Sequence, residues 1–191
     1  MPTYKYERWD KRIKHTELDA WLERAKYFET KALIIALYLT GARVSELLGM
    51  KCKDVLVDYR RKIAILTIVV LKQRKNGSPY RETRALEIDL DQPYFQHFLK
   101  FWEYRNDRVG EEGKIFTCKR CASYYYIKRI EHDISPHAFR HSACQKMADA
   151  GLNVFQISRY TGHKKPSMLE HYIQSSSLSA TPIREALKRA F

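Results

Sequence analysis

The sequence predicts an α+β domain, mostly helical, with one small three-stranded antiparallel sheet. Three observations predict it. Apolar residues recur at helical spacing through residues 16–39. Between residues 55 and 88 the pattern switches to β-branched runs separated by turn clusters. From Asp91 onward helical patterns return, several of them opened by a capping residue followed by proline.

Taken in order, residues 1–15 are basic and read as an extended N-terminal arm. Leu18, Trp21, Leu22 and Ala25, followed by the apolar stretch 32–39, place a helix over residues 16–39. Thr40 then reads as the N-cap of a short helix that ends near Gly49. The runs V-L-V, K-I-A-I-L-T-I-V-V-L-K and E-T-R-A-L-E-I form three strands, broken by D-Y-R-R at 58–61 and N-G-S-P at 76–79. Turn clusters of that kind between β-branched runs make an antiparallel meander with at least one hairpin. Asp91 with Pro93 starts a helix to about residue 105, and Ser123 starts another to residue 131. Ser135 caps a helix with Pro136 at its first position, and Gly151 closes it. Residues 153–161 form the next helix, stopped by Gly162, and Thr181-Pro182 opens a last one to Phe191. No repeat, low-complexity tract or Gly/Ser/Pro-rich linker divides the chain. Residues 16–178 therefore read as one domain and 179–191 as a helical tail.

Composition narrows the function. The chain is 45% hydrophobic and 13% aromatic, which suits a packed core rather than a disordered basic tail. Lys and Arg number 35 against 22 acidic residues, a formal charge of +13, so a polyanion such as nucleic acid is the expected partner. The longest apolar stretch, 32–39, falls far short of the roughly 20 residues that span a bilayer. The charged N-terminus M-P-T-Y-K-Y-E-R-W-D lacks the apolar core of a secretory signal, so a cytoplasmic, DNA-associated protein is expected, with no membrane partner. Four cysteines (Cys52, Cys118, Cys121, Cys144) fit a reducing compartment. Cys118 and Cys121 make a single C-x-x-C, half of a zinc site, with only His132 or His137 to complete it, and no metal is expected there. There is no P-loop, no G-x-G-x-x-G and no acidic cluster of the kind two-metal nucleases use, so no cofactor is expected.

The densest chemistry lies in S-P-H-A-F-R-H, G-L-N-V-F-Q-I-S-R-Y-T-G-H and E-H-Y-I-Q, spread over residues 135–174. His137 and Arg140 stand three apart on one helix and share a face. His163 follows a glycine, and Tyr172 comes nine residues later. Guanidinium, imidazole and phenol together suit phosphoryl transfer: a cation for the phosphate, a proton carrier and a hydroxyl nucleophile. Each residue also has an ordinary structural reading. Arg43 with Glu46 can be an i,i+3 ion pair, His137 a satisfied helix residue, His163 a C-terminal cap, and Tyr172 one of 13 tyrosines.

Order and spacing tip the balance. T-G-A-R-V-S-E-L-L at 40–48, the H-x-x-R box at 137–140, Gly162-His163 and Tyr172 together resemble the catalytic domain of the tyrosine recombinase (phage integrase) family. The resemblance runs over about residues 20–178. It implies a site-specific DNA recombinase that cleaves and rejoins strands through a 3′-phosphotyrosyl intermediate, without metal or ATP. Arg43 and Arg140 would clamp the phosphate, with Glu46 holding Arg43 or its helix. His163 would add a hydrogen bond, His137 would help accept the phenolic proton, and Tyr172 would attack phosphorus. Lys72, at the first arm of the hairpin, aligns with the family's general acid, and Lys75 is the alternative. Arg74, Lys75, Arg81 and Arg84 in the hairpin, with Lys164 and Lys165 after His163, form the expected DNA-binding set; an edge hairpin protected by charge is the plainer reading. A further histidine, His141, follows the box; His171 reads as an ordinary neighbour of Tyr172, and Tyr160 as a buried, weaker nucleophile candidate.

Most of the family carry a separate N-terminal DNA-clamping domain, for which 191 residues leave no room, so a catalytic fragment or a minimal recombinase is implied. The resemblance further implies double-stranded DNA as partner, assembly on it into dimers and tetramers from a free monomer, and a tail at 183–191 that docks on a neighbour. A mobile-element or viral source fits it. Two rivals share the charge: a non-catalytic regulator, since A-D-A-G-L-N-V-F-Q-I-S-R-Y-T-G-H reads as a helix-turn-helix, and a type IB topoisomerase.

Overall fold

A computed structural model describes residues 12–71 and 82–174. In chain order these form α1 (His15–Arg24), α2 (Phe28–Thr40), α3 (Val44–Leu47), a 3-10 turn (Cys52–Asp54) and β1 (Val55–Asp58), β2 (Ile63–Val69) and β3 (Thr83–Asp89). Then come α4 (Phe95–Val109), α5 (Arg120–Ile130), α6 (Pro136–Asp149), α7 (Val154–Thr161), a second 3-10 turn (Pro166–Leu169) and α8 (Glu170–Gln174). The mostly helical α+β domain with one small sheet is as the sequence predicts. The final helix expected up to Phe191 lies outside the described residues.

The helix α2 organises the rest because it is apolar on every side. Ala32 through Tyr38 are all buried, so α2 must be surrounded rather than laid on a surface. It packs against α4, α5 and α6. Phe95, Phe98, Phe101 and Phe116 fill the α4 side, and Trp21 meets Phe139 edge-on at 5.9 Å. Among the described residues no helix is long and apolar enough to cross a membrane.

The sheet has the order β1-β2-β3, antiparallel throughout, with Val55 opposite Leu66 and Ile68 opposite Arg84. In β3 burial alternates residue by residue: Arg84, Leu86 and Ile88 point inward, and Thr83, Ala85, Glu87 and Asp89 outward. That alternation carries an arginine into the interior.

Several boundaries differ from the sequence reading: the helix expected from Ser123 starts at Arg120, the one expected from Asp91 starts at Phe95, and two more differ in kind. The single helix expected over 16–39 is two, because Ala25 turns extended (ψ 111°) and the chain re-enters a helix at Phe28. Thr40 closes α2 instead of opening α3. Its hydroxyl donates to the Ala36 carbonyl at 2.6 Å, and Gly41 takes the left-handed conformation (φ 56°) that ends the helix. The N-cap position of α3 belongs to Arg43, whose backbone N–H is held at 3.0 Å by the Glu46 carboxylate.

Gly41 is doubly constrained. Its positive φ disfavours any side chain, and a Cβ there would lie 2.9 Å from the Ala143 Cβ. Replacing it with alanine combines left-handed strain with overpacking between α2 and α6. We expect Gly41→Ala to lose about 2–3 kcal/mol of stability in urea unfolding.

Candidate active site

The site grows from one carboxylate. Glu46, fully buried, accepts from Arg43 Nη1 at 2.9 Å through Oε1 and from Arg84 Nη2 at 3.3 Å through Oε2. Oε2 also takes the Arg43 backbone N–H. Arg43 reaches this arrangement from the start of α3 and keeps 34% of its side chain exposed. Arg84 reaches it from the inner face of β3 with only 6% exposed. Burial lowers the Arg84 pKa, while Glu46 opposes that shift.

Arg140 lies beside this pair, buried on α6. Its Nη1 donates to the Gly41 carbonyl at 2.8 Å and to the Thr161 carbonyl at 2.6 Å. Those carbonyls end α2 and α7, so one guanidinium neutralises two helix C-termini. Its Nε donates to His163 Nε2 at 3.2 Å. With Nε2 accepting, the His163 proton sits on Nδ1 and donates to Thr161 Oγ1 at 2.6 Å; Thr161 in turn donates to the Ile157 carbonyl. Arg140 Nη2, and Arg84 Nε and Nη1, are buried with no hydrogen-bond partner among the described residues. Unsatisfied buried guanidinium donors are costly, and they mark a place where an anion would be welcome.

The third part is the face of α6 toward α8. His137 and His141 stand one turn apart with rings edge-to-face at 5.5 Å. Tyr172, at 2% exposure, brings its hydroxyl to His141 Nδ1. Its backbone carbonyl accepts from Gln145 Nε2 at 3.2 Å, and its ring packs with Cys144, Ala148, Ile157 and Leu169. The turn at Pro166–Leu169 and the short α8 thus set the tyrosine against α6.

The chain is similar to several known proteins. Residues 117–178 match the model of the phage integrase family. The chain is 24% identical over 191 residues to tyrosine recombinase XerA of Pyrococcus horikoshii, covering 94% of this chain and 61% of the relative. It is 26% identical over 157 residues to tyrosine recombinase XerC of Corynebacterium glutamicum, covering 80% of this chain and 48% of the relative. The fold superposes on the catalytic domain of bacteriophage HP1 integrase with a TM-score of 0.59 at 17% identity, covering 92% of both chains. It also superposes on the XerH site-specific recombinase bound to difH substrate, TM-score 0.66 at 17% identity, covering 92% of this chain and 52% of that one.

The chain resembles the phage integrase family, whose model covers about a third of it.

It spans roughly half to three fifths of the length of these curated relatives. Of the expected site residues, Arg140 bonds His163, Arg43 and Arg140 are electrostatic neighbours of both His137 and His163, and Tyr172 meets α6 at His141, one turn from His137. Lys72, Arg74, Lys75 and Arg81 lie outside the described residues. Lys164 and Lys165 are exposed immediately after His163, beside an open groove of about 820 Å³ between β3 and α7. Arg84 departs from expectation. It was placed among surface DNA contacts, but the β3 alternation turns it inward onto Glu46, and its Nη1 packs against Gly162. Tyr160 is tied to the Leu39 carbonyl at 3.1 Å, a structural role. Cys118 is half-buried and its backbone N–H is held by Glu29; among the described residues no group of three or more His, Cys, Asp or Glu could hold a metal.

Sequence reading missed two partners. His141, not His137, meets the Tyr172 hydroxyl, because α8 crosses α6 one turn further along the shared face. Arg84 joins Arg43 on Glu46 through the sheet, a contact between residues 38 apart in sequence.

Burial, reinforced by nearby cations, keeps the histidines neutral. Burial, then Arg140 and Arg43, pull His163 down to about 3. Burial and His137 pull His141 down to about 4. Partial desolvation, Arg140 and Arg43 also lower His137. Burial raises Tyr172. A histidine whose folded pKa is depressed stabilises the fold above its ordinary value near 6.5, and that contribution is lost as pH falls. The melting temperature should therefore drop on acidification from pH 7 to pH 4.5, with a shallower drop in His163→Gln; identical profiles would contradict the neutral, buried state of His163. Removing the shared carboxylate leaves two guanidiniums uncompensated. Glu46→Gln should lose about 3 kcal/mol or more in urea unfolding, the cost of breaking a buried pair from one side.

Proposed function

We propose that this domain breaks and rejoins DNA strands, with Tyr172 forming a covalent 3′-phosphotyrosyl link. The observation that supports the reading is a buried tyrosine packed on α6, the helix that carries Arg140, while buried guanidinium donors of Arg84 and Arg140 have no partner among the described residues. A phosphodiester supplies the missing acceptors: its non-bridging oxygens would take hydrogen bonds from Arg43 and from the Arg140 Nη2. Charge that develops on phosphorus oxygens in the transition state would then face donors already fixed by Glu46, Gly41 and Thr161. His163, in the tautomer described, orients Arg140 through Nε2 rather than donating to phosphate.

In the cleavage step, Tyr172 Oη bonds to phosphorus as the bond to the 5′-oxygen breaks, and Lys72 or Lys75 would protonate the departing oxygen. A 5′-hydroxyl from the same or a partner strand reverses the sequence. Double-stranded DNA is the proposed partner, in keeping with the +13 charge and with relatives solved on DNA, XerH on difH and the Tn1549 integrase on transposon-end DNA. Assembly into dimers and tetramers on that DNA follows from the same reading. A purely DNA-binding regulator would give no reason for Arg43, Arg84 and Glu46 to be gathered beside Arg140.

The test is covalent trapping in EDTA on nicked candidate-site DNA or supercoiled plasmid. Wild type should yield a denaturant-resistant adduct that Tyr172→Phe abolishes. Arg43→Ala and Arg140→Ala should each slow adduct formation on the order of 100-fold or more. An adduct that survives in Tyr172→Phe moves the nucleophile elsewhere. Strand joining that requires two specific sites separates recombination from topoisomerase-like relaxation.

A further inference from the structure

The residue against the Tyr172 hydroxyl is His141, and nothing in the motif spacing gave it a role. We propose that His141 is the proton acceptor for Tyr172, a catalytic residue beyond the arginine clamp; this rests on the strand-cleaving reading above. The geometry is direct. His141 Nδ1 is in hydrogen-bond contact with Tyr172 Oη, and the contact is half-buried, between α6 and α8. His137, the other imidazole on this face, stands 5.5 Å from the His141 ring, and no hydrogen bond between it and Tyr172 is formed among the described residues. Among the described residues, the charged and titratable groups around His141 include His137 and Arg140 on its own helix and His171 and Tyr172 on α8, with Cys144 facing Tyr172. Burial, and after it these cationic neighbours, keep His141 unprotonated at neutral pH, so its Nδ1 can accept from the phenol it already meets.

The step balances. As Oη bonds to phosphorus, the phenolic proton passes to Nδ1, giving an imidazolium. The breaking P–O bond leaves its electron pair on the 5′-oxygen, which takes a proton from the general acid. On the return, the incoming 5′-hydroxyl gives a proton back to that acid group, and the departing phenolate recovers its own from His141. One histidine so placed acts on the nucleophile alone. Arg140, fixed on the same helix one residue earlier, serves the phosphate.

The experiment uses the full chain and single-turnover adduct formation on nicked DNA, comparing wild type, His141→Asn and His141→Gln. Both amides can keep a hydrogen bond to the tyrosine without taking its proton. Adduct formation at pH 7 should fall by about 10²–10³-fold in both variants, with DNA affinity unchanged. Wild type should be flat between pH 6 and 8, whereas the variants should gain about tenfold per pH unit, following the tyrosinate fraction. A substrate with sulfur at the 5′ leaving position, which needs no general acid, should not rescue them. A loss that is equal at every pH, rescue by the sulfur substrate, an unchanged rate or a faster one would each overturn the assignment. A faster rate would show His141 to be a latch on the tyrosine. If both variants lose DNA binding, the contact is structural and the proposal fails. Absence of any wild-type adduct would instead remove the parent reading.

Discussion

One guanidinium holds the site together. Arg140 is buried on α6, yet its strongest contacts are to backbone at the far ends of two other helices, Gly41 at the end of α2 and Thr161 at the end of α7. Each terminus concentrates partial negative charge on carbonyls that the helix itself cannot satisfy. A cation there compensates both without any carboxylate. Both helices end on glycines in the left-handed conformation, Gly41 and Gly162, so the chain turns away sharply and leaves those carbonyls facing inward. The position of Arg140 is thus set by backbone, the least deformable material in the domain. His163 fixes the remaining rotation by accepting from Nε.

The second cation pair is organised differently. Arg43 and Arg84 share Glu46, so a short helix and the inner face of the sheet are locked to one carboxylate. Three guanidiniums therefore stand around one acidic group. Electrostatics inside a protein are weakly screened, so such an excess is tolerated only because the fold is stabilised elsewhere, by the apolar packing around α2.

Much of the fold was legible, and the failures have physical causes. Ser135-Pro136 and Asn153…Gly162 marked α6 and α7 because caps and left-handed glycines act locally. Thr40-Gly41 was ambiguous: a threonine before glycine can open a helix or close one, and its hydroxyl bonds back to Ala36 here. The break after Ala25 has no proline or glycine to announce it and is imposed by packing. Arg84 was readable in principle, since T-R-A-L-E-I-D alternates cleanly, but a basic hairpin suggested surface, and charge count outweighed pattern. Arg43, Arg140 and Tyr172 came from motif spacing, whereas the pairing of Tyr172 with His141 depends on the crossing of α6 and α8, which no local signal encodes.

The same charge surplus assigns work to the histidines. Where arginines already supply the positive field, a protonated imidazole would add repulsion, so burial and neighbouring guanidiniums drive His141 and His163 to the neutral form. A neutral imidazole has one lone pair to give. His163 spends it on Arg140 and so becomes a positioning group. His141 directs it at a phenol that burial makes a weak acid. Binding a phosphodiester would add negative charge beside both rings and make them more basic. In the proposed reaction, the anion held by the arginines would thereby make His141 a stronger acceptor beside Tyr172, tying activation of the proposed nucleophile to occupation of the site.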